Sequence, residues 1–322
     1  MEKRTLRWVL AHEPIEIFIR AAEKFAKSIS VKTNGAISIE IMTAEEYGQK
    51  YHGMDKVDTQ YRYDLIKHLQ NGELEMSQMY TTTLGSMYDN DLLAIDMPYI
   101  FRDHEHVARV LDGEIGQSLR DGLEAKTNMA SLAFTYSGGF RVLPASKKIT
   151  SIDQLSGERI RVGSQVSKET FKALGCEAVD GILIEELGEA IGDGRIVAGE
   201  STYPRLYGTE QTVAPYKTAK AVINTEHSLF LTTILINKDI WNSFDAELQQ
   251  FMLEAAHEAA LEERKEALAD IKKNQARLAQ DGVEVVDLPQ SELDLFKERT
   301  AVVYDTLADI FSDGLVAKIK NA

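Results

Sequence analysis

The sequence predicts a two-domain α/β fold in which one long helix spans both domains. Its 322 residues are enough for two domains at roughly 150 residues each. Segments with strand periodicity alternate with segments of helical periodicity in two separate blocks, as is typical of α/β proteins. In addition, residues 239–280 contain neither Gly nor Pro and consist mainly of strong helix formers.

The first block opens with a β-α-β unit. Residues 5–10 are predicted as a strand, and apolar residues at helical spacing predict a helix over residues 15–29. Asn34 and Gly35 mark a turn, and the alternation of apolar and polar residues over 36–41 is typical of a half-buried strand.

The first block continues with a helix over residues 61–71 and a strand over residues 74–80, which leads into a predicted loop at Thr81, Thr82 and Thr83. Ligands of α/β proteins gather at the carboxyl ends of strands. The loop after the first strand, residues 11–14, and the three threonines are therefore candidate walls of a binding site. Threonine hydroxyls also stabilise turns, so a purely local role is an open alternative.

The second block repeats this pattern. It contains predicted strands at 128–134, 141–143 and 159–162, then a helix over 168–174. The predicted helix over 239–280 would be ~60 Å long, which is longer than one domain of this size is wide. Its first half has an apolar face, whereas Glu262, Glu263, Lys265 and Glu266 are predicted to face solvent.

These elements give a predicted division of the chain with a ligand cleft between two domains. Domain I comprises residues 1–133 and 222–245, domain II comprises 134–221 and 283–322, and residues 246–282 form the long connecting helix.

Charge and composition exclude several classes of protein. The chain has 36 Lys and Arg residues against 51 Asp and Glu residues, which gives a formal net charge of −15. A negative field of this size repels nucleic acid and anionic lipid, so neither is an expected partner. There is no apolar run of about 18 residues for a transmembrane helix. The single Cys176 forms no intramolecular disulfide and is predicted to be a buried, inert thiol.

Motifs for metal, nucleotide and covalent chemistry are incomplete. His257 and Glu258 begin like a zinc-protease signature, but the second histidine position holds Leu261. His104 and His106 lie at a predicted helix start, where they are predicted to belong to a helix-capping cluster at the surface. A phosphate-binding glycine loop and a nucleophile elbow are both absent from the sequence. We therefore expect no metal, no cofactor and no enzymatic activity.

Several segments, taken in order, resemble the solute receptor of tripartite ATP-independent periplasmic (TRAP) transporters, of the DctP type. The longest is Leu-Leu-Ala-Ile-Asp-Met-Pro-Tyr-Ile-Phe-Arg-Asp-His-Glu-His at 92–106. Others are the His-Glu-Pro loop at 12–14, Gly-Phe-Arg at 139–141, Leu-Ser-Gly-Glu-Arg-Ile-Arg-Val at 155–162, and Ile-Leu-Ile-Asn-Lys-Asp-Ile-Trp at 234–241. The resemblance covers nearly the whole chain.

The resemblance implies a two-domain periplasmic binding protein fold and a ligand that carries a carboxylate. It implies that Arg161 pairs with this carboxylate, that Arg141 is a second ligand-binding arginine, and that Thr202 occupies the position where the family commonly has an amide. The planar fork of an arginine suits carboxylate recognition, although an arginine on a strand is equally typical of a surface ion pair.

Further candidate ligand-binding residues come from the predicted strand ends and from the strand near residue 231. They are His12, Glu13, Thr81, Thr82, His227 and Phe230. Each has an alternative role, since Glu13 would also stabilise a helix N-terminus and both His227 and Phe230 would suit a half-buried strand.

The predicted function is an extracytoplasmic receptor that closes around a small organic acid by hinge motion and delivers it to the membrane subunits of a TRAP transporter. The threonine-rich segment and Thr202 favour a sugar acid or another hydroxylated acid. We expect a periplasmic monomer that has lost its leader. The alternatives are an α/β enzyme that uses Glu13 or His227 as a base, and a ligand-sensing module of a signalling system.

Overall fold

The computed structural model describes residues 3–12, 15–57, 59–207 and 213–322. Their contacts divide the chain into two units. Unit 1 consists of Met1–Asp89, Val110–Ser137 and Leu231–Glu266, and unit 2 consists of Asn90–Arg109, Gly138–Phe230 and Ala267–Ala322.

The described residues form the following strands and helices. The strands are β1 (Arg4–Leu10), β2 (Ile37–Thr43), β3 (Met76–Tyr80), β4 (Met129–Phe140), β5 (Leu143–Ala145), β6 (Arg159–Arg161), β7 (Glu177–Val179), β8 (Ala198–Gly199), β9 (Ala221–Asn224), β10 (Leu229–Asn237) and β11 (Glu284–Asp287). The helices are α1 (Glu16–Lys32), α2 (Ala44–His52), α3 (Thr59–Gln70), α4 (Thr81–Met87), α5 (His104–Leu111), α6 (Glu114–Lys126), α7 (Gln165–Ala173), α8 (Leu187–Gly192), α9 (Lys238–Asn242), α10 (Ala246–Gln280), α11 (Gln290–Thr300), α12 (Val302–Thr306) and α13 (Leu315–Asn321). Short 3₁₀ segments include Asn90–Asp96 and Tyr203–Tyr207.

The sheet of unit 1 has the strand order β2-β1-β3-β10-β4. Strand β1 pairs in parallel with β2 and β3, and β10 is antiparallel to β3. The predicted β-α-β unit at the start of the chain is confirmed. The apolar face of α1 lies in the core, where the ring of Phe25 packs edge-on against Trp8 with 5.2 Å between the ring centroids.

The sheet of unit 2 has the strand order β11-β9-β5-β8-β6-β7. Strand β6 is parallel to both β7 and β8, so the end of β6 at Arg161 lies beside Gly199 of β8. Strand β5 is antiparallel to β8 and β9. Apolar residues from β5, β6, α7 and α11 form the core of this unit, including Leu143, Ile160, Phe171 and Phe296.

The three threonines after β3 do not form the predicted loop. They are the first residues of helix α4, which follows β3 directly. Threonine has a low intrinsic helix propensity, which tertiary contacts can override. Here Thr81 and Thr82 are buried, and the Thr81 hydroxyl donates a hydrogen bond to the carbonyl oxygen of Leu231.

The predicted helix over 239–280 is divided into α9 and α10. The break lies at residues 243–245, where the side chain of Asp245 accepts a hydrogen bond from the Leu248 amide and so caps the start of α10. Helix α10 is about 50 Å long at 1.5 Å per residue and contributes residues to both units. One prediction about its surface is wrong, because Glu263 is only 1% exposed.

Three segments belong to a different unit from the predicted one, and one of them is 134–137, which was predicted in domain II and lies in unit 1. Residues 90–109, predicted in domain I, lie in unit 2, where Arg102 donates hydrogen bonds to the carbonyl oxygens of Lys320 and Ala322. Residues 222–230 also lie in unit 2, because β9 pairs with β5 and β11. Such long-range pairings leave no local signal in the sequence.

Cys176 and His106, which were considered for chemical roles and rejected, have structural roles. Burial raises the pKa of the Cys176 thiol to about 12, so the thiol is buried and unreactive, as predicted. The His106 amide donates a hydrogen bond to Asp103 at the start of α5, and the His106 ring is hydrogen-bonded to the Ile319 carbonyl oxygen. The predicted capping role of this cluster is confirmed, but the predicted surface position is wrong for His106, which is fully buried because its ring bonds to the Ile319 carbonyl group.

Gly116 provides a test of the packing in unit 1. A Cβ atom at this position would lie 2.0 Å from the carbonyl oxygen of Leu111, a backbone atom that cannot rotate away. We expect Gly116→Ala to destabilise the protein by roughly 1–3 kcal/mol or more, measured by chemical denaturation. Ser118→Ala, at an exposed position of the same helix α6, is the matched control and should be neutral or slightly stabilising. Equal unfolding midpoints for the two variants would contradict this description of α6.

Candidate functional site

A buried arginine forms the centre of a charged cluster in unit 2. Arg141 follows β4 and is only 4% exposed. Its Nη2 donates a hydrogen bond of 2.9 Å to Asp96 Oδ1, and its Nε lies 3.8 Å from Glu200 Oε1. The second oxygen of Asp96 accepts a hydrogen bond of 3.0 Å from Ser164, the residue that caps helix α7. We call Arg141, Asp96, Glu200 and His227 the Arg141 cluster.

His227 joins this cluster through Glu200. Its Nε2 is 3.0 Å from Glu200 Oε1, and its Nδ1 is hydrogen-bonded to the Thr225 hydroxyl at 2.8 Å. The imidazole also stacks on the ring of Phe296, with 5.4 Å between centroids and an interplanar angle of 15°. Both ring nitrogens of His227 therefore have hydrogen-bond partners, and the residue is 1% exposed.

The two carboxyl groups that share Arg141 have different acidities. Burial acts to raise the pKa of Glu200, but the Arg141 charge and the hydrogen bond from His227 outweigh it and lower this pKa to about 2. For Asp96, burial is the dominant effect and the nearby Glu200 adds to it, so its pKa is raised. Glu200 is therefore the firmly ionised partner of Arg141.

Phe230 lies against the same guanidinium group. The Arg141 Cζ is 4.0 Å from the centroid of the Phe230 ring, within the range of a cation–π interaction. The guanidinium of Arg205, which is also buried, lies 5.4 Å from this centroid. One aromatic ring therefore contacts two arginine side chains in unit 2.

Arg161 has a different environment. It is the last residue of β6 and is half-buried, and its Nε donates a hydrogen bond of 2.9 Å to the carbonyl oxygen of Ile182. This bond fixes the plane of the guanidinium group. Gly163 lies beside that group, since a Cβ atom at Gly163 would be 2.9 Å from Arg161 Nη1. Such an arginine suits a bidentate pair with a carboxylate.

Thr202 is buried in unit 2, three positions after the end of β8. Its carbonyl oxygen accepts a hydrogen bond from the Arg205 amide, and its side chain lies against Gly138. The backbone of Glu200 connects this segment to Arg161, because the Glu200 amide is 3.4 Å from the Arg161 carbonyl oxygen.

In unit 1, the other candidates lie at the carboxyl ends of β1 and β3. The His12 ring stacks on Phe18, with 3.8 Å between centroids, and lies 5.4 Å from the ring of Tyr80. Tyr80 is followed directly by Thr81 and Thr82 at the start of α4. Glu13 lies outside the described residues.

The structure thus brings the sequence candidates together in two groups, one in each unit. Arg141 and His227 belong to one cluster in unit 2, and Phe230 contacts its arginine. Thr202 follows Glu200 by two residues, and the Arg161 carbonyl oxygen lies 3.4 Å from the Glu200 amide. The group in unit 1 contains His12, Thr81 and Thr82. Sequence reasoning missed Asp96, Glu200, Ser164 and Arg205, although Asp96 lies within the segment at 92–106 that resembles the receptor family.

Within the part of the chain that the structure describes, His, Cys, Asp and Glu side chains form no group of three or more that could hold a metal ion. Among the same residues, no helix has both the length and the apolar character needed to cross a membrane.

A family comparison identifies the class of protein to which this chain belongs. The family of bacterial extracellular solute-binding proteins, family 7 (DctP), matches residues 11–309. The chain is a member of this family. The predicted resemblance to this receptor family is therefore confirmed. Because the family consists of solute-binding receptors, the alternative of an enzyme that uses Glu13 or His227 as a base is wrong.

Individual relatives agree with this assignment. The C4-dicarboxylate-binding periplasmic protein DctP of Rhodobacter capsulatus is 27% identical over 312 residues, which cover 94% of this chain and 86% of that protein. A TRAP periplasmic solute-binding protein from Pseudomonas putida F1, solved with bound D-glucuronate, superimposes on this chain with a TM-score of 0.82 at 24% sequence identity. The match covers 99% of this chain and 97% of that protein. A second, from Sulfurospirillum deleyianum with bound succinate, has a TM-score of 0.80 at 23% identity, covering 99% of both chains. The predicted two-domain α/β fold with a long helix is therefore confirmed.

The burial of Arg141 leads to a prediction about stability without ligand. Arg141→Ala leaves Asp96 and Glu200 buried without their cation, which should destabilise the protein by about 3–5 kcal/mol. Arg159→Ala, at an exposed strand position, should change stability by less than about 0.5 kcal/mol. Urea unfolding of the ligand-free variants measures both values, and a small effect of Arg141→Ala would show that the cluster is not the structural centre of unit 2.

Proposed function

We propose that this protein is an extracytoplasmic receptor that binds a small organic acid and delivers it to the membrane subunits of a TRAP transporter. Membership in the solute-binding family supports the receptor role, and the periplasm is the corresponding location. The protein performs no chemistry on its ligand.

The observation that carries the proposal is the contrast between two arginines of unit 2. Arg141 is only 4% exposed and lies inside its cluster, whereas Arg161 is half-buried at the end of β6, within the segment at 155–162 that resembles the receptor family. A ligand carboxylate that meets Arg161 supplies a negative charge where the arginine fork is already in position. We therefore assign the ligand carboxylate to Arg161 and assign to Arg141 a supporting role through its cluster.

The chemistry of the relatives supports an acid of small size. Their names and structures include C4-dicarboxylate, succinate, D-glucuronate and galactonate, and each of these carries a carboxylate. We propose a hydroxylated acid, because Thr81 and Thr82 supply hydroxyl groups at the end of β3 in unit 1 and Thr202 supplies one in unit 2. His12, Glu13, His227 and Phe230 complete the proposed set of ligand-binding residues.

The proposal includes hinge closure of the two units around one ligand in a monomeric protein. A thermal-shift screen should find a stabilising compound among uronic acids, aldonic acids and C4-dicarboxylates, since a ligand at 100 times its Kd adds roughly 2.7 kcal/mol of stability. Small-angle scattering with the compound found should then give a smaller radius of gyration. An unchanged radius at saturation would contradict hinge closure, and a screen without any hit among carboxylates would contradict the ligand class.

Arg161 provides the direct test of the binding site. Arg161→Ala should weaken binding of the acid found in the screen by about 2 to 5 kcal/mol, or ~30-fold to several thousand-fold, because it removes a charge-assisted bidentate pair. Arg161→Lys should restore only part of the affinity, because it keeps the charge and loses the fork. Gly163→Ala should also weaken binding, because the added methyl group displaces the guanidinium. Calorimetry measures all three variants.

Arg159→Ala is the control, because Arg159 lies on the same strand and its guanidinium pairs with the exposed Glu177. It should bind as the wild type does. All variants should unfold at nearly the wild-type midpoint, since a half-exposed arginine contributes little to stability. Wild-type affinity in a folded Arg161→Ala protein would rule out the assigned role.

A further inference from the structure

A buried carboxyl group lies close to the places where the chain passes between the two units. These places are Asp89/Asn90, Arg109/Val110, Ser137/Gly138, Phe230/Leu231 and Glu266/Ala267. The last three lie on β4, β10 and α10. On the unit 1 side, each of these elements carries a polar side chain at most three residues from the crossing: Thr135, Thr232 and Glu263.

These three side chains meet around Gln78 of β3. The Gln78 amide nitrogen donates hydrogen bonds to the hydroxyls of Thr135 at 2.9 Å and Thr232 at 3.0 Å, and the two hydroxyls are also bonded to each other. The same nitrogen is 3.4 Å and 3.5 Å from the two carboxyl oxygens of Glu263. Gln78, Thr135 and Thr232 are fully buried, and Glu263 is 1% exposed. We call these four residues the crossing cluster.

The charged groups near Glu263 compensate a negative charge on it only in part, through the positive charge of Arg264. On the same helix, Arg264 forms a two-point ion pair with Asp112 and donates to the Phe134 carbonyl oxygen, while Glu266 is paired with Arg20. On β4, Tyr136 lies under the Arg264 guanidinium. Among the described residues Glu263 has no ion-pair partner, and burial raises its pKa well above the ordinary glutamate value.

The hydrogen-bonding capacity of the cluster also fits a neutral carboxyl group. Gln78 Oε1 is buried and has no hydrogen-bond partner among the described residues. An ionised Glu263 is only an acceptor, whereas a protonated one has an O–H donor to offer the threonine hydroxyls or Gln78. A neutral Glu263 thus adds one donor to a cluster in which Gln78 Oε1 has none among the described residues, and burial outweighs the hydrogen bonds from Thr135 and Gln78 that favour the ionised form.

We propose that Glu263 is a proton-dependent connection. In its neutral form it holds α10 to β3, β4 and β10, close to the points where α10, β4 and β10 leave unit 1. The connection loosens when the carboxyl group loses its proton. This role concerns the chain crossings and is independent of the proposed ligand.

The direction of the pH effect follows from linkage. A carboxyl group whose pKa is raised by folding contributes its full stability below the pKa of the unfolded chain, about 4.3 for glutamate. Above that pH the unfolded chain releases the proton first. The folding equilibrium constant then falls by up to about tenfold per pH unit until the pH passes the pKa of the folded protein.

The test compares wild type, Glu263→Gln and Glu262→Gln between pH 5 and pH 9. Glutamine keeps the shape and a donor but cannot ionise, so the Tm of Glu263→Gln relative to wild type should rise steadily with pH. Hydrogen exchange of the peptides that cover β4 and β10, corrected for intrinsic rates, should accelerate at high pH in wild type and not in Glu263→Gln. Glu262→Gln removes a half-buried carboxylate on the same helix, paired with Lys265, and should follow the wild-type pH profile.

Parallel pH profiles for wild type and Glu263→Gln would overturn the proposal. If Glu263→Gln does not fold, a ¹³C NMR titration of the glutamate carboxyl groups in the wild type decides the question. One carboxyl group should remain protonated at pH values where the others have titrated, and ordinary titration of every glutamate would overturn the proposal.

Discussion

The rest of unit 2 depends on one buried guanidinium group shared by two carboxylates. Taking charges out of water carries a large desolvation penalty, which is offset only when partners are close and correctly oriented. Arg141 meets this condition by binding Asp96 of the 3₁₀ segment and lying beside Glu200 after β8. Its backbone adds hydrogen bonds to Glu226 and Ser228. Three distant parts of the chain, at Asp96, Glu200 and 226–228, are therefore positioned by one side chain and its peptide groups.

Two arginines with similar positions in the sequence have different surroundings in the fold. Both Arg141 and Arg161 lie at strand ends, and both fall in segments that resemble the receptor family. Arg141 is 4% exposed and is held by Asp96, Glu200 and the ring of Phe230. Arg161 is half-buried, and its Nε donates a hydrogen bond to the carbonyl oxygen of Ile182. The two arginines of one unit therefore differ in how far the fold encloses their charge.

The local sequence pattern was sufficient to predict the elements that have a clear hydrophobic period or a high helix propensity. The first β-α-β unit, strand β10 and most of α10 follow from periodicity and helix propensity. Helix α4 was missed because its threonines are held by tertiary contacts that outweigh propensity. Glu263 was predicted to face solvent because charged residues surround it on α10. Its buried neighbour Gln78 lies on strand β3, far away in the sequence, so the local pattern does not show this contact. Asp96 and Glu200 were missed for the same reason, since their partner is distant in the chain.

The Arg141 cluster and the crossing cluster both have members on or next to β4 and β10, two strands that pass from one unit to the other. Strand β4 carries Thr135 on the unit 1 side and leads directly into Arg141, and β10 carries Thr232 shortly after His227 and Phe230. Apolar packing would also stabilise these positions, but it tolerates repacking as long as volume is conserved. Buried hydrogen bonds have strict distance and angle requirements, and an unmet partner is costly. The polar clusters therefore fix the register at which each segment enters its unit, which is the property a chain needs where it passes repeatedly between two units.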